Sequence, residues 1–116
     1  MPYNSAMVDE STESKRGQMR KGLLEFCMLL VISDKRAYSS DILKKLKDAD
    51  LLVVEGTLYP LLSRLKTQGL VEYDWEESKS GPPRKYYTLT KLGRETLREL
   101  EKTWQELHAS IESLTN

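Results

Sequence analysis

The segment from Glu55 to Thr90 constrains the fold of this chain more than any other part of its sequence. Leucines recur at helical spacing from Leu58 to Leu65, and Gly69 follows at the usual position of a left-handed C-terminal cap. From Leu70 to Glu76, apolar and polar side chains alternate, which predicts a strand with one solvated face. The Tyr- and Thr-rich segment Lys85–Leu89 is the expected partner strand. A helix that runs directly into such a hairpin predicts a winged helix-turn-helix.

Two more helices are predicted before this segment and one after it. Lys15–Ile32 is expected to be a helix, and its apolar stripe comprises Met19, Leu23, Phe26 and Leu30. Ser39–Asp48 is expected to be a short helix that begins with side-chain oxygens able to cap it. Within the hairpin, Ser80–Pro83 is expected to form a stiff, unpaired tip. The predicted fold is mainly α with a small β-hairpin: a flexible tail over residues 1–14, a winged helix-turn-helix over 15–89 and a long C-terminal dimerisation helix over 90–116.

The C-terminal helix carries an apolar seam with heptad spacing. Its members follow one another at intervals of three and four residues: Leu97, Leu100, Trp104, Leu107, Ile111 and Leu114. Such a narrow seam usually faces another helix. Because the seam covers only about two and a half heptads, we expect the first helix to join it in a homodimer interface.

The charge and hydropathy of the chain limit its partners. The 116 residues include 18 acidic and 18 basic side chains, so the formal net charge is zero. This balance argues against a coat of basic charge for non-sequence-specific binding, but it allows a site-specific binder whose bases share one face. The longest apolar run, Leu23–Ile32, is too short to span a bilayer, and the amino end does not resemble a secretory signal. We expect a cytoplasmic protein without a membrane partner.

Catalytic and metal-binding patterns are not found in the sequence. The single Cys27 and the single His108 provide no cluster of metal ligands, and there is no glycine fingerprint for phosphate binding. Cys27 lies among apolar neighbours, so we expect it to be buried packing. We predict neither an enzyme nor a bound metal or cofactor.

Side chains suited to DNA are spread over three elements. Phosphates attract Arg, Lys, hydroxyls and free N–H groups at helix starts, whereas base edges need side chains that reach into a groove. The candidates on the second helix, the third helix and the wing are Ser39, Ser40, Thr57, Tyr59, Pro60, Ser63, Arg64, Lys79, Arg84 and Lys85. Each of them taken alone fits a solvated surface better than a binding site. Together, at these places, they favour binding to double-stranded DNA.

Trp104 is the largest side chain of the C-terminal seam and allows two interpretations. The first is packing, because an indole buries a large apolar area. The second is a binding site, since two symmetry-related indoles would hold the helices apart and leave a gap for a planar or cationic ligand. His108 lies one turn further along and would border that gap, and Met19 and Phe26 of the first helix are the other candidate ligand-binding residues.

Several motifs, in this order, resemble the PadR family of bacterial transcriptional regulators over about Lys15 to Leu114. The motifs are Tyr38 with Ile42-Leu43-Lys44-Lys45-Leu46, Glu55-Gly56-Thr57-Leu58-Tyr59-Pro60 with Arg64-Leu65 and Gly69-Leu70, and Gly81 with Pro83-Arg84-Lys85-Tyr86-Tyr87 and Leu89-Thr90. The resemblance implies a dimeric winged-helix repressor on a pseudo-palindromic operator, and it adds Tyr38 to the DNA-contacting residues. With one helix after the wing, the chain is similar to short members, some of which sense lipophilic or cationic drugs with a Trp at the position of Trp104.

Three positions depart from the family pattern. Val54 stands where the family often has a capping Ser, so we expect the third helix to lack a side-chain cap. Pro82 replaces the basic residue that often follows the wing glycine, which removes one phosphate contact per subunit. His108, rather than an acid, follows Trp104 by one turn, which weakens the attraction of a cation.

The resulting hypothesis is a repressor that a small aromatic or lipophilic ligand at the dimer centre releases from DNA. One alternative keeps DNA binding without any ligand. The other alternative is a winged-helix module that binds protein and not DNA. Its support is the zero net charge and the acids on the wing, which are Glu72, Asp74, Glu76 and Glu77.

Overall fold

The computed structural model describes residues 5–51 and 53–115, with side-chain surroundings from Glu10 onward, and it contains four helices and three strands in those residues. In chain order they are α1 Ser5–Asp34, β1 Ala37–Tyr38, α2 Ser39–Asp48, α3 Glu55–Thr67, β2 Val71–Ser78, β3 Gly81–Leu89 and α4 Lys91–Thr115. The predicted winged-helix fold with a long C-terminal helix is confirmed. None of the described helices has the length and apolar character needed to cross a membrane.

The first helix is longer than predicted. Its backbone is helical from Ser5, ten residues before Lys15, so a helix replaces the tail that was expected over residues 5–14. Once a helix is nucleated, each further residue adds a hydrogen bond at little cost, and no Gly or Pro interrupts the segment between these two residues. Residues 1–4 of the expected tail and Asn116 lie outside the described residues.

The side of α1 that packs into the core differs from the apolar stripe that was predicted to be buried. Met28, Leu29 and Ile32 are at most 2% exposed, whereas Met19 is 71% exposed and Leu30 38% exposed. Apolar residues cover most of the circumference in the second half of this helix, so their spacing alone fits more than one buried face. The rest of the core comes from the other elements, as Ala37, Ile42, Leu46, Leu58, Leu62, Leu65, Val71, Tyr87, Leu89 and Leu97.

Left-handed residues end both helices of the helix-turn-helix. After α3, Gly69 has φ 77°, and the N–H of Leu70 donates to the carbonyl of Leu65 at 3.0 Å, which is the expected C-terminal cap. After α2, Asp50 has φ 62°, and the next N–H donates back to the carbonyl of Leu46 at 2.8 Å. Asp tolerates this conformation better than most residues, so a connection without Gly or Pro still turns sharply.

The sheet has three antiparallel strands in the order β1–β3–β2. Val71 pairs with Leu89 and Trp75 pairs with Lys85 across the hairpin, while Ala37 of β1 pairs with Tyr87 on the other side of β3. β1 was not predicted, because two residues are too few to show an alternating pattern. It fixes the start of α2 against the wing, which we define as β2 and β3.

The prediction that the tip of the hairpin is unpaired is wrong. Ser78 pairs with Gly81 and Glu76 pairs with Arg84, so β3 has one extra residue in a bulge that contains Pro82 and Pro83. The chain turns between Ser78 and Gly81, and the two prolines belong to the strand. A bulge tolerates proline because the extra residue leaves the ladder of backbone hydrogen bonds, in which proline cannot donate.

The start of α4 is fixed against the end of α3. The Thr90 hydroxyl donates to the carbonyl of Gly69 at 2.6 Å and accepts the N–H of Gly93 at 2.9 Å. A Cβ atom at Gly93 would lie 1.9 Å from the carbonyl oxygen of Leu70, so only glycine fits there. One turn further, Leu97 is 5% exposed and packs into the protomer core. Leu97 is therefore a core residue of the protomer, which corrects the prediction that it lies in the dimer interface.

Candidate nucleic-acid interface

A groove with a volume of about 490 Å³ lies between the start of α2, the outward side of α3 and the wing. We call it the α3–wing groove. It is lined by Tyr38, Ser39, Ser40, Tyr59, Ser63, Trp75, Pro83, Arg84, Lys85 and Tyr87. Seven of the predicted DNA-contacting residues are among them, and the described lining includes no Asp or Glu. Trp75, Pro83 and Tyr87 were not predicted as contacts.

The two helices of the helix-turn-helix meet through hydroxyl groups in this groove. The Ser39 hydroxyl lies 3.2 Å from the Tyr59 hydroxyl, which joins the start of α2 to the first half of α3. The carboxylate of Asp41 accepts the N–H of Tyr38 at 3.0 Å, so Asp41 and neither serine caps α2. Ser39 and Ser40 therefore remain on the groove wall.

Tyr38 connects the start of α2 to the wing. Its hydroxyl donates to the carboxylate of Glu76, which Arg36 also approaches at 3.4 Å. The guanidinium of Arg84 lies 5.5 Å from the centre of the Tyr38 ring. The hydrogen bond to Glu76, together with partial desolvation, raises the pKa of Tyr38 above its ordinary value. The phenol therefore stays protonated and continues to hold the wing.

Strand alternation sorts the charges of the wing onto two faces. Glu72, Asp74 and Glu76 share one face, because every second residue of a strand points the same way. Trp75 and its partner Lys85 share the other face, which also carries the core residues that pack against α3. Glu77 is exposed beside the bulge and is not among the groove-lining residues. The acids that favoured a protein-binding module therefore lie outside the groove.

The Lys85 side chain lies over aromatic rings at the edge of the groove. Its ammonium is 4.3 Å from the ring centre of Tyr73 and 5.2 Å from that of Trp75. From α3, the ammonium of Lys66 approaches the same Tyr73 ring at 5.1 Å. Burial raises the pKa of the neighbouring Tyr87, and nearby Tyr73 adds to this effect, so its phenol also stays protonated.

Four predicted contacts are not among the residues that line the groove. Thr57 and Pro60 are exposed on α3, and Lys79 is exposed in the hairpin turn. The guanidinium of Arg64 lies 3.4 Å from the carboxylate of Glu25 on α1. The structure therefore places the predicted base contact Arg64 at the side of α3 that adjoins α1.

The predicted ligand-binding residues occupy separate places in one protomer. The rings of Trp104 and His108 are 5.8 Å apart on α4. Met19 lines an apolar surface cavity of about 350 Å³ on α1, whose described lining includes Cys27 but not Trp104, His108 or Phe26. Phe26 is half-buried against the core. Cys27 is also half-buried, and desolvation raises the pKa of its thiol, which makes the thiolate scarce.

An uncovered apolar row continues along α4 beyond the core. Leu100 is half-buried, and four later members of the seam are exposed: Trp104, Leu107, Ile111 and Leu114. Across the part of the chain with described side chains, no group of three His, Cys, Asp or Glu residues could hold a metal ion. The candidate sites are thus the α3–wing groove and this row.

Comparisons with known proteins identify relatives of this arrangement. Residues 28–99 match the family described as "Transcriptional regulator PadR-like family". An X-ray structure of a PadR-like transcription factor from Bacteroides fragilis is 53% identical, with a TM-score of 0.75, and the match covers 87% of this chain and 98% of that one. A PadR family transcriptional regulator from Eggerthella lenta is 33% identical, with a TM-score of 0.87, over 96% of this chain and 97% of that one. An uncharacterized protein from Lysinibacillus sphaericus is 30% identical, over 84% of this chain and 92% of its own length.

Proposed function

This chain belongs to the PadR-like family of transcriptional regulators, and on that premise we propose that it is a sequence-specific, homodimeric DNA-binding repressor. The observation that carries the proposal is the α3–wing groove. The chain has as many acids as bases, but the described groove lining has two bases, six hydroxyl-bearing side chains (three serines and three tyrosines) and no acid. This composition suits a strand of phosphates and base edges.

The proposed docking uses the groove and the outward side of α3 together. α3 enters the major groove, where Thr57, Tyr59, Pro60, Ser63 and Arg64 are its candidate contacts. The wing bases Lys79, Arg84 and Lys85 contact phosphates beside it, and Ser39 and Ser40 offer hydroxyls and N–H groups at the start of α2. The distribution of charge on the wing supports this docking over a protein-binding module, because Glu72, Asp74 and Glu76 lie on the face of the wing that points away from α3.

The proposed function requires a dimer, in which each copy presents one α3 helix to DNA. The exposed row on α4 is the surface that a second copy would cover, and exposed apolar rows of this kind usually mark an interface. Two copies would present two α3 helices to half-sites about 34 Å apart on a pseudo-palindrome. A regulator of this kind acts in the cytoplasm on the chromosome, without catalysis of its own.

The experiment is a binding titration on a fragment of the protein's own promoter at low salt. We expect retardation of that fragment, competition by itself and weaker competition by a scrambled fragment of equal length. A protein that binds neither fragment at low salt would refute the proposal. Equal binding to both fragments would refute sequence specificity alone.

A small aromatic or lipophilic effector at the dimer centre is the second part of the proposal. Its support is Trp104, which is 39% exposed in the middle of the α4 row with the His108 ring beside it. Binding would release DNA if it favoured a wing spacing that no longer matches successive major grooves. The test is a panel of aromatic cations and phenolic acids, read out by Trp104 fluorescence and operator affinity. If no compound changes either signal, the effector is rejected and Trp104 is packing only.

A further inference from the structure

Trp75 is a large aromatic side chain that the core does not use. It is 60% exposed on the wing, and yet it lies on the same strand face as the buried Val71 and the core-packed Tyr73. The indole lines the α3–wing groove together with Tyr59 and Ser63 of α3 and is not part of the core. An indole left in water beside a polar groove indicates a contact surface, because its burial on binding is strongly favourable.

Two ammonium groups approach the ring of Tyr73, which packs edge-on against this indole. Lys85, the cross-strand partner of Trp75, lies 5.2 Å from the indole and 4.3 Å from the Tyr73 ring, while Lys66 reaches the Tyr73 ring at 5.1 Å. Among the described residues, neither ammonium forms an ion pair with a carboxylate. Ring faces attract each cation but do not neutralise it. The arrangement therefore leaves two positive charges, from α3 and from the wing, beside one apolar surface.

We propose that Trp75 is a nucleic-acid contact and the positioning residue for Lys85. The indole packs on a deoxyribose of the bound strand, and Lys85 and Lys66 contact the adjoining phosphates. Charge complementarity favours a sugar–phosphate backbone as the occupant, because the two ammonium groups attract phosphates and the indole offers a base edge only one hydrogen-bond donor. This inference rests on the proposed function and adds the wing residue that was not predicted as a contact.

The inference predicts that Trp75 acts partly through Lys85 and that its effect on affinity does not depend on the base sequence. Trp75→Ala should weaken binding to the operator and to a scrambled fragment alike, by about five- to tenfold. It should also flatten the dependence of affinity on salt by about one counterion per subunit, as Lys85→Ala should. In the Lys85→Ala background, Trp75→Ala should cost less affinity than it does in the wild type, because the contact with the sugar is still lost but the indole has no ammonium left to position. Trp75→Phe keeps a ring face and should retain most of the affinity.

The experiment combines a double-mutant cycle over a salt series with fluorescence. Lys91→Ala removes an exposed lysine at the start of α4 and serves as the matched charge control. Saturating DNA should change the emission of the wild type more than that of Trp75→Phe, in which Trp104 is the remaining indole. Thermal unfolding of each variant separates loss of contact from loss of fold.

Three outcomes would overturn the inference. They are an unchanged salt slope in Trp75→Ala, additive effects of Trp75→Ala and Lys85→Ala, and equal emission changes in wild type and Trp75→Phe. Each of these requires a wild type that binds DNA, and then only the role of Trp75 fails. If the wild type binds neither fragment, the proposed function fails with it, so the two failures are distinct.

Discussion

The guanidinium of Arg64 on α3 lies 3.4 Å from the carboxylate of Glu25, which projects from the middle of α1. The Arg64 side chain is 65% exposed and that of Glu25 is 29% exposed, so the acid is the more buried partner. One oxygen of that carboxylate is buried and has no hydrogen bond of good geometry among the described residues. The contact therefore orients the arginine without enclosing it.

Arg64→Ala should weaken operator binding by about 1–3 kcal/mol if the guanidinium reaches a base. Glu25→Gln keeps the shape of the partner, removes its charge and should change stability by less than about 1 kcal/mol, because the pair is partly solvated. Titration of both variants against operator DNA separates the roles. Equal losses of affinity would mean that the ion pair between Arg64 and Glu25, and not a contact of Arg64 with a base, accounts for the effect.

Gly93→Ala should destabilise the chain by about 1–3 kcal/mol, since the added methyl would meet the Leu70 carbonyl and the backbone would have to move. Urea unfolding measures the loss. Gly22→Ala is the matched control, because that helical position is open and alanine is the better helix former by roughly 1 kcal/mol. A Gly93→Ala variant as stable as wild type would contradict the close approach.

Val54→Ser should stabilise the chain by about 0.5–2 kcal/mol. Val54 is the N-cap of α3, is 70% exposed and makes no side-chain cap hydrogen bond, as its sequence position predicted. A serine hydroxyl there can accept an N–H of the first turn. Thermal unfolding measures the gain, and Val54→Ala, which removes the same apolar surface without adding an acceptor, should not reproduce it.

Tyr38→Phe should change how stability depends on alkaline pH. The raised pKa of Tyr38 means that the folded chain favours the protonated phenol, so this stabilisation is complete below the ordinary pKa near about 10 and is lost as pH rises through the higher folded pKa. The advantage of wild type over Tyr38→Phe should therefore disappear at strongly alkaline pH. Denaturation midpoints measured across that range test it, and Glu76→Gln should resemble Tyr38→Phe. A constant difference would show that Tyr38 acts by packing alone.

Leu107→Glu should convert a dimer into a monomer at micromolar concentration. Leu107 is 48% exposed in the protomer, so the change places a charge in the proposed interface without disturbing the core. Sedimentation measures the assembly state, and Lys102→Ala, on the opposite side of α4, should leave it unchanged. A wild type that sediments as a monomer would refute the interface itself.

Sequence reasoning predicted the elements whose signals are local and repeated. The leucines of α3, the alternation from Val71 to Trp75 and the cap at Gly69 each follow from backbone geometry, and all three match the structure. The bulge at Pro82 and Pro83 was missed because a register shift depends on the partner strand. The same limit applies to the buried side of α1, since several of its faces are apolar.

The sequence predicted which residues belong to the candidate site better than it predicted how those residues are arranged in space. Tyr59, Ser63 and Lys85 meet in one groove because their elements carry them there. The partner of Arg64 is 39 positions away in the sequence, and no local pattern connects it with Glu25. Trp75 was assigned to the strand correctly, but its exposure depends on which other elements of the fold cover that part of the strand.

The hydroxyl of Thr90 joins the start of α4 to the end of α3, so any rotation of α4 about this joint would move its far end much more than its start. A rigid helix of 25 residues extends about 37 Å from that joint. A sideways displacement of about 6 Å at its free end then corresponds to only about 10° of rotation at the joint with Gly69. By this geometry, a displacement of several ångströms at the far end of α4 would need only a small change in the angle between α4 and α3.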